Sequence, residues 1–179
     1  MVENMAKVFS FDIKFKGSRR TTFYRKLFGF SYKIGPEKRT RSSPGILEEI
    51  PYLKLGKSVI AVPQSCALKL KLFFSNPKWQ PIELHVFDAI LPPNERMEAM
   101  NSMLNKKIKI SKAEDAILIS EINRLRLMVQ NRSLDRETIE RIRRVLREAE
   151  ELKKHDWTDG REFSSKLDAL IEPLRKISG

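Results

Sequence analysis

The sequence predicts an α+β protein in two parts: a small sheet-and-helix domain over residues 1–92 and a helical hairpin or bundle over 93–179. Three observations lead there. Apolar residues recur at every second position in the first part, as in half-buried strands. After Pro92-Pro93 the apolar spacing lengthens to three and four, as on one face of a helix. The charge balance changes at the same place: residues 1–92 carry 16 Lys and Arg against 7 Asp and Glu, whereas 93–179 carry 19 against 16.

Each element has its own signal. Phe9, Phe11, Ile13 and Phe15 alternate with Ser10, Asp12, Lys14 and Lys16, which predicts a first strand. Gly17-Ser18 turns the chain, and the Ser18 hydroxyl is expected to cap a helix through Phe28. Gly29 suits the positive-φ position that ends a helix. Phe30, Tyr32 and Ile34 alternate again and predict a second strand. Residues 35–45 are polar and turn-rich, a loop or loose hairpin, and Ile46 to Ile50 is one helical turn stopped by Pro51. The β-branched run Ser58 to Val62 predicts a central strand. Pro63 opens a helix over Gln64 to Phe74 that packs Leu68, Leu72 and Leu70 or Phe73 on the sheet. Ile82 to Leu91 is the last strand. The order is the ferredoxin-like β-α-β-β-α-β arrangement, one antiparallel sheet with both helices on one face.

Beyond Pro93, Met97, Met100, Met103 and Leu104 predict a short helix, and Ser111 to Gln130 a second, with Ile117, Leu118, Ile122, Leu125 and Val129 near one face. Residues 134–154 form a third, with Ile139, Ile142, Leu146 and Ala149 inward. Its Glu137–Arg141, Glu140–Arg144 and Glu150–Lys154 pairs make a self-compensated solvated face. A fourth starts at Asp159 or Gly160, with Asp159 as its cap, and Pro173 is expected to bend its last turn.

Composition narrows the function classes. Fifteen aromatics support a real core. The longest uncharged stretch in the middle of the chain, Ser58 to Leu68, has 11 residues and contains Pro63, which is too short for a membrane span. The N-terminus lacks the pattern of a secretory signal, so the expected location is cytoplasmic. One cysteine, Cys66, excludes an internal disulfide and a cysteine-based zinc cage. Two histidines, His85 and His155, leave little for a metal centre, and no cofactor is expected. Three Gln beside abundant Lys, Arg and Glu is a thermophile-like usage.

The net charge of +12 is concentrated in one stretch. Residues 14–41 hold ten cations, Lys14, Lys16, Arg19, Arg20, Arg25, Lys26, Lys33, Lys38, Arg39 and Arg41, and one acid, Glu37. Cations with no local counter-charge repel one another and suit a row of phosphates. Six aromatics lie among them, Phe15, Phe23, Tyr24, Phe28, Phe30 and Tyr32, and their spacing places most of them in the core. The string KLFGFSY from Lys26 partly resembles the aromatic octamer of RNA-recognition motifs, with Leu27 where that pattern has Gly. ALKLKLFF from Ala67 partly resembles sliding-clamp-binding peptides, with Ala67 where they have Gln; an amphipathic helix explains the same residues.

FDIKFKGSRRTTFYRKLFGF is similar to the start of the small ferredoxin-fold subunit of the CRISPR adaptation complex and related nucleases. That resemblance implies an aspartate, here Asp12, holding a divalent metal between two protomers. One carboxylate per chain is a poor magnesium site, and pairing of Asp12 with Lys14 or Arg19 is the expectation. The predicted function is therefore a non-catalytic nucleic-acid-binding protein. DNA or RNA would bind through the ten cations, and the helical region would serve a homodimer or a protein partner. The alternatives are a protein–protein adaptor with no nucleic-acid role and a metal-dependent nuclease using Asp12 across a dimer.

Overall fold

A computed structural model describes residues 4–36, 39–111, 114–132 and 134–178, with 39–41 and 178 described by their backbone. The protein is mixed α+β, an antiparallel sheet with helices followed by a mainly helical region. It divides into two compact units, Met1–Glu95 and Arg96–Gly179. Among the described residues, no helix is long and apolar enough to cross a membrane.

The first unit runs β1 (Met5–Ile13), α1 (Gly17–Phe28), β2 (Phe30–Ile34), β3 (Arg39–Ser43), β4 (Leu53–Gly56), β5 (Val59–Pro63), α2 (Ala67–Phe74) and β6 (Ile82–Ile90). Four strands form one antiparallel sheet in the order β4-β5-β1-β6. The alternation in β1 does what it predicts: Phe9, Phe11, Ile13 and the following Phe15 are buried. They meet Phe23 and Leu27 of α1 and Leu70 and Phe74 of α2 in one cluster, so both helices pack on that face. Phe23 is its hub, with ring contacts to Phe11, Phe15, Phe74 and Trp79. Cys66 is buried beside it, and burial pushes its thiol up to about 11, which keeps it protonated.

Three expectations for this unit are corrected. Phe30–Ile34 does not enter the main sheet; it pairs antiparallel with β3 in a separate two-stranded ribbon, and β4 takes the place beside β5. Alternation specifies a strand and its faces but not its partner, and a local hairpin closes the shorter loop. Ser18 does not cap α1: the N-cap is Lys16, with no side-chain hydrogen bond. On α2 the core side is Ala67, Leu70 and Phe74, while Leu68 and Leu72 are 68% and 66% exposed. A helix of eight residues can turn only one narrow stripe to the sheet.

The second unit contains α3 (Pro93–Ser102, beginning at the junction), β7 (Lys107–Lys109), β8 (Asp115–Ile117), α4 (Leu118–Gln130), α5 (Arg136–Lys153) and α6 (Glu162–Ser178), which contains Pro173. It is not all-helical, because β7 and β8 form a small hairpin and α4 starts at Leu118, not Ser111. The alternation of Lys107, Ile108, Lys109 and Ile110, with both isoleucines buried, is the signal for it. Arg141 belongs to the interior and not to a solvated face. It donates to Glu121 at 2.7 Å and to Glu114 at 3.0 and 3.1 Å. Asp159 pairs with buried Arg96, and the capping carboxylate is Asp156, which accepts from Thr158 and the Ser164 N–H.

Candidate nucleic-acid interface

α1 and the β2–β3 ribbon carry the predicted cations, and their junction fixes how the two elements meet. α1 ends at Gly29 with φ of 79°, a backbone conformation that glycine adopts without strain. A Cβ on Gly45 would lie 2.1 Å from the Gly29 nitrogen and 2.5 Å from the Phe28 carbonyl carbon. The end of α1 and the chain leaving β3 thus cross backbone to backbone, a contact only two glycines permit.

The ten cations do not all share one environment. Lys14 sits between Asp12 and Glu83, whose carboxylates hold its ammonium above the usual lysine range, while Lys14 holds Glu83 low. Asp12 therefore pairs with Lys14, as the local charge pattern predicts. Arg19 donates to the Lys78 carbonyl from Nε and Nη2 and to the Gln80 carbonyl from Nη2, at 2.6–2.9 Å, and lies 4.6 Å from the centre of the Phe15 ring. Its Nε and Nη2 tie the 77–80 turn to α1, a structural duty that the sequence does not announce. Lys16, Arg20, Arg25, Lys26 and Lys33 are exposed, and among the described residues no carboxylate pairs with them. Arg39 and Arg41 stand opposite Ile34 and Tyr32 in the ribbon register, and Lys38 lies outside the described residues.

Electrostatics at the start of α1 reinforce this. Its first turn holds no acid and no side-chain cap, while Lys16, Arg19 and Arg20 crowd the end where the helix dipole is already positive. That arrangement is unfavourable in the free protein and favourable beside an anion. Lys54 extends the surface, lying 5.1 Å over the Phe28 ring. Only the sheet pairing of β4 brings it there, so no local sequence signal could have found it.

The aromatics divide as well. Phe15 and Phe23 are core, and Tyr24 and Phe28 pack half-buried against it. Phe30 and Tyr32 stay outside that cluster, so four of the six rings go to the core and two do not. Among the described residues there is no group of three or more His, Cys, Asp or Glu placed to hold a metal ion. No protein-family model, curated protein or solved structure matches the chain.

Proposed function

We propose that the protein binds nucleic acid, as a non-catalytic module, through the surface formed by α1 and the β2–β3 ribbon. The observation that carries this is the set of exposed cations, Lys16, Arg20, Arg25, Lys26 and Lys33, that no carboxylate among the described residues pairs with, together with an uncapped, acid-free helix start. In this reading the four-stranded order is a ferredoxin-like frame carrying the ribbon as an insertion. The helical unit would serve dimerisation or a partner protein, which light scattering on the full chain tests.

Phosphate contacts release counterions, so log affinity should fall linearly with log salt, by about 0.7–0.9 per phosphate. Titration of fluorescent DNA and RNA at several salt concentrations reads this slope. Arg20→Ala/Lys26→Ala should weaken binding and flatten the slope by about 1.5–2. A flat salt dependence, or no binding at about 50 mM salt, would sink the proposal.

A further inference from the structure

Resting on the nucleic-acid reading above, we infer that the Phe30–Tyr32 ring pair is a stacking platform for unpaired bases, so that the ligand is single-stranded DNA or RNA. A period of two puts Phe30, Tyr32 and Ile34 on one face of the ribbon. Tyr32 is 43% and Ile34 42% exposed, an apolar row that no core covers. The two rings already stack, with centroids 5.5 Å apart and planes 22° from parallel. The Arg25 guanidinium lies 4.9 Å over Phe30 and extends the row with a flat cation. The outcome is an order of Arg25, Phe30 and Tyr32, with Lys26 and Lys33 exposed nearby in the chain.

The ribbon itself explains why this face needs an occupant. It has two strands and is no part of the main sheet, and a lone hairpin is marginal in water. The exposed Tyr32 ring contributes little to the ribbon's own stability until something flat covers it. A base supplies that cover, and its phosphate supplies the charge that the neighbouring cations lack. In a duplex the base faces are already occupied by neighbouring pairs, so only unpaired bases can offer them.

The test uses the full chain, with labelled single strands of mixed sequence as DNA and as RNA, and the blunt duplex of each. Single strands should bind more tightly than duplexes. Tyr32→Ala should weaken single-strand binding about tenfold at unchanged salt slope and leave duplex binding within about twofold. Tyr32→Phe should keep the single-strand affinity, which separates loss of the ring from loss of the fold. A strand carrying 2-aminopurine should be quenched by the wild type and less by Tyr32→Ala. Whichever backbone, DNA or RNA, binds more tightly with this Tyr32 dependence identifies the source of the bases. If duplex and single strand bind alike and Tyr32→Ala is silent, the stacking inference is overturned while the phosphate-binding proposal stands. If neither ligand binds at low salt, both fall together.

Discussion

Gly45 has an ordinary φ of −90°, so its requirement for glycine is purely one of space. Backbone atoms of Phe28 and Gly29 fill the room a side chain would need. Gly45→Ala should therefore cost about 2–4 kcal/mol in urea denaturation and weaken nucleic-acid binding, since the root of the ribbon must shift. Gly17 has the opposite problem, a φ of 67° with open space around it. Gly17→Ala should cost only about 1 kcal/mol. Arg141 makes a second prediction at this scale. Glu121 is buried against it, and Arg124 lies 3.9 Å off. Arg141→Leu strands that carboxylate, with an expected loss of about 3–5 kcal/mol. Arg141→Leu/Glu121→Leu should recover most of the loss, and a double-mutant cycle in urea measures the coupling.

At the scale of elements, α1 sets function against stability. Lys16 occupies an N-cap position with extended backbone (φ −122°), suited to a side chain that accepts from the first turn. Lys16→Asp should stabilise the protein by about 0.5–1 kcal/mol, through capping and the helix dipole, while weakening nucleic-acid binding. The opposite signs, read by thermal melting and by titration, distinguish a surface selected for binding from a merely solvated one. On α2, Leu70 is fully buried and Leu72 two-thirds exposed. Leu70→Ala should cost about 2–5 kcal/mol and Leu72→Gln no more than about 0.5 kcal/mol.

For the whole molecule, the distribution of carboxylates predicts an order of acid unfolding. In the second unit, Arg141 holds Glu114 low, hydrogen bonds from Thr138 hold Asp135 low, and Lys154 holds Glu151 low. Burial alone would raise Glu150, Asp156 and Asp168. Hydrogen bonds from Arg175 and Lys153 at the first and third, and from Ser164 and Thr158 at Asp156, outweigh it. A carboxyl group with a depressed folded pKa contributes stability that is complete above its unfolded value of about 4. That contribution is lost as pH falls through the folded value. Glu83 is depressed in the same sense in the first unit, by Lys14. Residues 96–179 should therefore unfold first as pH drops below about 4. Buried Trp157 and Trp79 report on the two units separately. Fluorescence of Trp79→Phe and Trp157→Phe variants should show the Trp157 transition at the higher pH.

What the sequence determines by itself is the content that depends on local periodicity. The alternation of Phe9, Phe11, Ile13 and Phe15 specifies β1 and its buried face, and three-and-four spacing specifies the long helices, because each follows from the geometry of its own segment. The excess of cations in residues 14–41 is likewise read directly from composition. Tertiary structure decides everything that depends on partners. The Phe30–Ile34 alternation is the same whether the strand joins a four-stranded sheet or folds back on β3, so only the fold places Phe30 and Tyr32 outside the core. A count of cations cannot tell Lys14, compensated by Glu83 from a strand nearly seventy residues away, from Lys33. Nor can it tell a solvated arginine from Arg141, whose counter-charges lie on β8's approach and on α4. Charge and hydropathy are properties of residues; pairing and burial are properties of the contacts that long-range folding creates.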